Sequence, residues 1–130
     1  MRRVCESSPP VTVTMTMDGA APRHARRFLD DHWCVEHAAL LRPQAELVVT
    51  ELVSNAVQHG EAPVVLSLDC GGVSGVVISV SDANPNLPRV QTVGPHAASG
   101  RGVRLVELLS DEWGVKTRPG GKSVWSRLVA

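Results

Sequence analysis

The chain has 130 residues, with 13 basic and 13 acidic side chains and a formal net charge of zero, so it offers no electrostatic footprint for direct contact with nucleic acid, and one domain with one core is the expectation. One Phe, three Trp and no Tyr leave few platforms on which single-stranded bases could stack. Three cysteines, Cys5, Cys34 and Cys70, are odd in number and far apart, which fits neither a disulfide framework nor a paired-cysteine metal knuckle and points to free thiols in a reducing compartment.

Residues 1–10 are polar and proline-bearing and read as a disordered tail, with the domain expected over 11–130. Arg2 and Arg3 are not followed by the continuous apolar stretch of a signal peptide, and no segment reaches transmembrane length, so a cytoplasmic protein without membrane contact is expected. Val11 to Met17 alternates strictly between apolar residues and threonines, the pattern of a half-buried strand. Asp18-Gly19 breaks it, and Pro22 suits the first turn of a helix expected from Ala21 to about Val35.

Pro43 opens a second helix running to Val57 or Gln58, with Gly60 as its C-terminal stop. Val64 to Cys70 and Val73 to Asp82 read as a hairpin around Gly71-Gly72, whose turn calls for positive φ. From Ala83 to Ser99 periodicity disappears and three prolines occur, which predicts a long loop of the functional kind. Gly100-Arg101-Gly102 precedes an amphipathic segment, Val103 to Leu109, and two closing strands, 113–117 and 123–129, flank Pro119-Gly120-Gly121. The order strand, two helices, hairpin, loop, helix, hairpin lacks βαβα alternation and predicts an α+β sandwich with helices on one face of the sheet.

On the second helix, at about 100° per residue from Glu51, Ala45, Val49, Leu52, Val53 and Ala56 fall on a core-facing arc, while Asn55 lies near 40° on the other flank with Glu51. By spacing alone, a Glu and an Asn at i, i+4 form an ordinary solvated face with a weak contact. As chemistry, the carboxylate can order a nucleophile, and the amide oxygen one turn away is a hard ligand of the kind Mg²⁺ accepts beside phosphate and water.

The run Glu51-Leu52-Val53-Ser54-Asn55-Ala56-Val57-Gln58-His59-Gly60 resembles the N-box of the GHKL (histidine-kinase-like) ATPases, and closely that of the anti-sigma-factor serine/threonine kinases, stand-alone ATP-binding regulators. Val76 to Pro85, with Asp82 at the strand end, resembles the G1 box, and Ser99-Gly100-Arg101-Gly102-Val103-Arg104-Leu105-Val106 resembles the G2 box. The resemblance covers residues 11–129. It implies a two-layer α/β sandwich of the Bergerat (GHKL) type, with a mixed, mostly antiparallel sheet and helices on one face.

The resemblance further implies ATP and Mg²⁺ as cofactors, with Asn55 as the metal-holding residue and Glu51 as the general base. Asp82 would accept from the adenine amino group, and a carboxylate there favours ATP over a keto purine. The bland reading of Asp82 is a turn former bound to nearby backbone N–H groups. The family pattern has Gly two residues after the Asp, where this chain has Asn84, a residue more tolerant of positive φ than most.

Ser99, Gly100, Arg101, Gly102 and Val103 would line the phosphates, with free N–H groups before the helix attracting them. Arg101 is equally open to a phosphate contact or to a solvated loop position. Ser123, in Gly120-Gly121-Lys122-Ser123-Val124-Trp125, stands where the family has a Thr near adenine; a surface strand serine is its bland alternative.

Two other phosphate motifs are excluded. The dinucleotide fingerprint needs Gly where Leu105 stands, and a P-loop needs an earlier Gly where Lys116 stands. No histidine pair has zinc-site spacing. The function implied is phosphoryl transfer to a serine of an anti-sigma antagonist, coupled to binding of a sigma factor. The alternative is a non-catalytic ATP-binding module that sequesters a regulatory partner, and a homodimer is compatible with either.

Overall fold

A computed structural model describes residues 10–34, 39–71, 75–86 and 98–129, with the backbone alone at 98–103. Its strands are β1 (Val11–Met15), β2 (Val64–Cys70), β3 (Val76–Asp82), β4 (Glu112–Arg118) and β5 (Gly121–Leu128), and its helices α1 (Ala21–His32), α2 (Arg42–His59) and α3 (Ala98–Leu109), with a short 3-10 turn at Ala39–Leu41. The sheet order is β1-β2-β3-β5-β4.

Every strand pairing is antiparallel, where a mixed, mostly antiparallel sheet was expected. β1 and β3 share a direction, but β2 lies between them; β3 and β4 share a direction, but β5 folds back into the space between them. Both potential parallel neighbours are thereby separated by a hairpin partner. The expected α+β sandwich is what forms.

Period-2 alternation sorts the sheet faces. Val64, Leu66 and Leu68 of β2, Val76, Ile78 and Val80 of β3, and Val124 and Leu128 of β5 are buried, and the register sets Leu66 against Val80, Leu68 against Ile78 and Val80 against Val124. α1 buries Ala21, Ala25 and Leu29, one stripe at i, i+4, i+8. The start of α1 is held from upstream, where Asp18 Oδ1 accepts the Ala20 N–H at 2.8 Å. α1 ends at His32, short of the expected Val35.

α2 packs against α1, α3 and the sheet. For that reason its buried arc is wider than the predicted one and includes Val48 as well as Ala45, Val49, Leu52, Val53 and Ala56. Arg42 at its start pairs with Asp30 of α1 and, at 3.5 Å, with Glu46 one turn on. α3 begins at Ala98 rather than near Val103, so Gly100, Arg101 and Gly102 belong to the helix instead of preceding it. Glycine inside a helix costs about 1 kcal/mol against alanine, which is why composition alone pointed to a later start.

The β2–β3 connection needs a left-handed residue, and Gly75 takes it at φ 96° rather than Gly71; residues 72–74 lie outside the described set. Gly120 serves the β4–β5 turn at φ 79°. At the lower edge of the core, the buried Ser126 hydroxyl meets Ser110 Oγ at 2.5 Å, and Ser110 Oγ also donates to Val106 O at 2.6 Å.

Candidate functional site

The site grows from the place where α2 ends beside the end of β3. Gly60 caps α2 in extended backbone, φ −92°, ψ −171°, so its value is space rather than left-handed geometry. A Cβ there would stand 2.6 Å from both Ala56 O and Asp82 Cγ. Two further hydrogen bonds tie the ends together: Asn84 Nδ2 donates to His59 O at 3.0 Å, and the Ala83 N–H to Glu61 O at 2.8 Å. Asp82 is thereby locked beside the helix that carries Glu51 and Asn55.

Asp82 continues the core-facing rank of β3 and is buried among apolar residues of its strand. Its partner across the sheet is Lys122, whose ammonium lies 3.1 Å from Oδ2 and 3.2 Å from Oδ1. The side chains retain only 6% and 3% exposure, lysine and aspartate respectively. Lysine is almost never this buried unless paired, because an isolated ion loses several kcal/mol of hydration.

Asn84 is the hub of the turn after β3. Its N–H donates to Asp82 Oδ1 at 2.7 Å, its Oδ1 accepts the Asn86 N–H at 3.0 Å, and its carbonyl accepts from Lys122 Nζ at 2.9 Å. No non-glycine residue among those described has positive φ, so the expected tolerance of left-handed backbone is not used. The amide side chain replaces glycine's flexibility with hydrogen bonds.

Glu51 and Asn55 lie one turn apart on α2 and are half-buried. Among the described residues neither side chain has a hydrogen-bond partner, and both are thus uncommitted polar groups at the margin of the helix's buried face. Ser99, Gly100, Arg101, Gly102 and Val103 form the opening turns of α3, where the first N–H groups have no intrahelical acceptor; their side chains lie outside the described residues, as does loop segment 87–97. Ser123 does not join this group. It pairs with Ser81 on the opposite face of the sheet from Asp82, and its Oγ accepts from Arg118 at 3.3 Å.

Lys122 was missed by sequence reasoning, yet the signal was present. In β5 the core-facing rank is 122, 124, 126, 128, and a lysine within a core-facing rank predicts a buried counter-ion.

The family model for the histidine kinase-like ATPase domain matches residues 15–128. The chain belongs to that family. A solved structure of the RsbU and RsbW domains of Rv1364c from Mycobacterium tuberculosis resembles this ATPase domain with a TM-score of 0.68 at 22% identity, over 94% of this chain and 32% of that one. At that identity the likeness is one of fold, and the chain spans about a third of the length of its neighbour. No curated protein matches the sequence.

The donor set of the ATPase domain fits its nucleotide. A buried carboxylate at Asp82 is an acceptor of the kind an exocyclic amine requires, and a single amide oxygen at Asn55 suits Mg²⁺, which keeps water and phosphate as most of its ligands. Among the described residues no three His, Cys, Asp or Glu side chains gather as a metal cage. No helix among them is long and apolar enough to cross a membrane.

Proposed function

We propose that this chain binds Mg-ATP and acts as an anti-sigma factor with serine kinase activity toward an antagonist protein. The observation that carries the reading is the joint between Gly60 and Asp82, which couples the base-facing carboxylate to the helix bearing Glu51 and Asn55. The sequence resemblance to the anti-sigma kinases and the fold likeness to a chain containing an RsbW domain support the same reading.

In this reading Asp82 accepts from the exocyclic amine of adenine, Asn55 Oδ1 ligates the cation, and the N–H groups opening α3 face the phosphates. A Mg²⁺ ion held by Asn55 would neutralise charge on the phosphate oxygens. Glu51 orients the acceptor serine and takes its proton as the serine oxygen bonds to the γ-phosphorus and the bond to the departing ADP oxygen breaks. Positioning and electrostatics supply most of such a rate.

Calorimetric titration with ATP and GTP, with and without Mg²⁺, followed by phosphoryl transfer to candidate antagonist proteins, tests the proposal. Mg-dependent binding selective for ATP, with transfer to serine, is expected. Binding without transfer to any antagonist would reduce the function to a nucleotide-dependent sequestering module, and absence of binding would withdraw it.

A further inference from the structure

Asp82 is assigned above to the base, yet its carboxylate is already engaged. Of its roughly four acceptor positions, Oδ1 takes the Asn84 N–H and the Lys122 ammonium, and Oδ2 takes the ammonium again. Gly60 closes against the carboxylate so tightly that a methyl group there would stand 2.9 Å from Oδ2. With the aspartate side chain 3% exposed, an outside donor meets a carboxylate already bonded to Asn84 and Lys122 and packed against Gly60. The ammonium is equally complete, with three N–H groups facing three oxygens, Asp82 Oδ1, Asp82 Oδ2 and Asn84 O.

We propose that Lys122 is a second specificity-determining residue of the base pocket: its ammonium occupies the position on Asp82 that an exocyclic amine would take, and nucleotide binds by displacing it. This rests on the assignment of Asp82 to the base. Two consequences follow from charge and donor pattern. Competition lowers affinity for an amine-bearing purine. Once displaced from Asp82, the same ammonium frees an N–H for the O6 of a keto purine, which the carboxylate alone would repel, so the lysine narrows discrimination between the two.

The test compares binding of Mg-ATP and Mg-ITP to the wild-type chain and to Lys122→Met, each checked for fold by circular dichroism. Removing the competitor is expected to tighten ATP by about tenfold, the scale of one hydrogen bond to a charged group, and to leave ITP no tighter. A folded Lys122→Met with unchanged or weaker ATP binding overturns the proposal while leaving the nucleotide assignment intact, and an equal gain for ITP overturns the specificity role. If neither chain binds either nucleotide, the assignment of Asp82 to the base fails and this proposal with it.

A variant-free measurement covers the case in which the substitution prevents folding. Lys116 and Lys122 are the only lysines, and Lys116 is exposed, so ¹⁵N-lysine labelling yields one protected ammonium signal. Its loss at saturating Mg-ATP is expected; its persistence unchanged overturns displacement.

Discussion

Gly60 and Asp82 are in contact across the joint between helix and sheet, with the glycine Cα packed so closely on the carboxylate that a Cβ would lie 2.6 Å from Cγ. A Gly60→Ala substitution must therefore move Asp82 or the end of α2. Overpacking of this kind costs about 1–3 kcal/mol, and urea unfolding should register it together with weaker ATP binding. Wild-type stability and affinity in Gly60→Ala would show that the joint is not rigid.

The Asp82–Lys122 pair makes a second, independent demand on stability. Breaking a buried pair by removing one partner costs about 3–5 kcal/mol, because the other charge is left uncompensated. Lys122→Met should lose that much in urea unfolding, while the double variant Asp82→Asn with Lys122→Met should lose less than the sum of the single losses. Additive losses would mean that the two groups do not act as a pair.

Glu51 and Asn55 are expected to separate by function. Asn55→Ala should weaken Mg-ATP binding by tenfold or more, on the order of one charge-assisted contact, whereas Glu51→Ala should bind normally and slow phosphoryl transfer by about 10²-fold or more. Calorimetry and a transfer assay on both variants decide it, and equal loss of nucleotide binding in the two would end the division of labour.

Ser126 is fully buried against Ser110 Oγ. Ser126→Ala should cost only about 1 kcal/mol, since Ser110 keeps its bond to Val106 O and no donor is stranded. A thermal melt measures it; a loss several times larger would point to a wider hydrogen-bonded network beneath α3.

Leu29 tests the core itself. It is fully buried on α1, and Leu29→Ala should cost about 2–5 kcal/mol, read by the shift in urea midpoint at constant slope.

Much of this molecule follows from local pattern. Strict alternation in β1, the apolar runs of β2 and β3, the prolines at the starts of α1 and α2, and the i, i+4 pair Glu51 and Asn55 are each contained within a short window, because backbone period and capping are local properties. The antiparallel sheet order is not, since it depends on β5 entering between β3 and β4. Register is likewise a relation between strands distant in sequence: it sets Asp82 opposite Lys122 and turns Ser123 to the other face, because a one-residue step along a strand reverses the side-chain direction. Residue types and periodicity determined the elements, and resemblance to the G1 box singled out Asp82, whereas only the tertiary structure decided which side chain would meet it, since 40 residues of chain must fold back before an ammonium can satisfy a buried carboxylate.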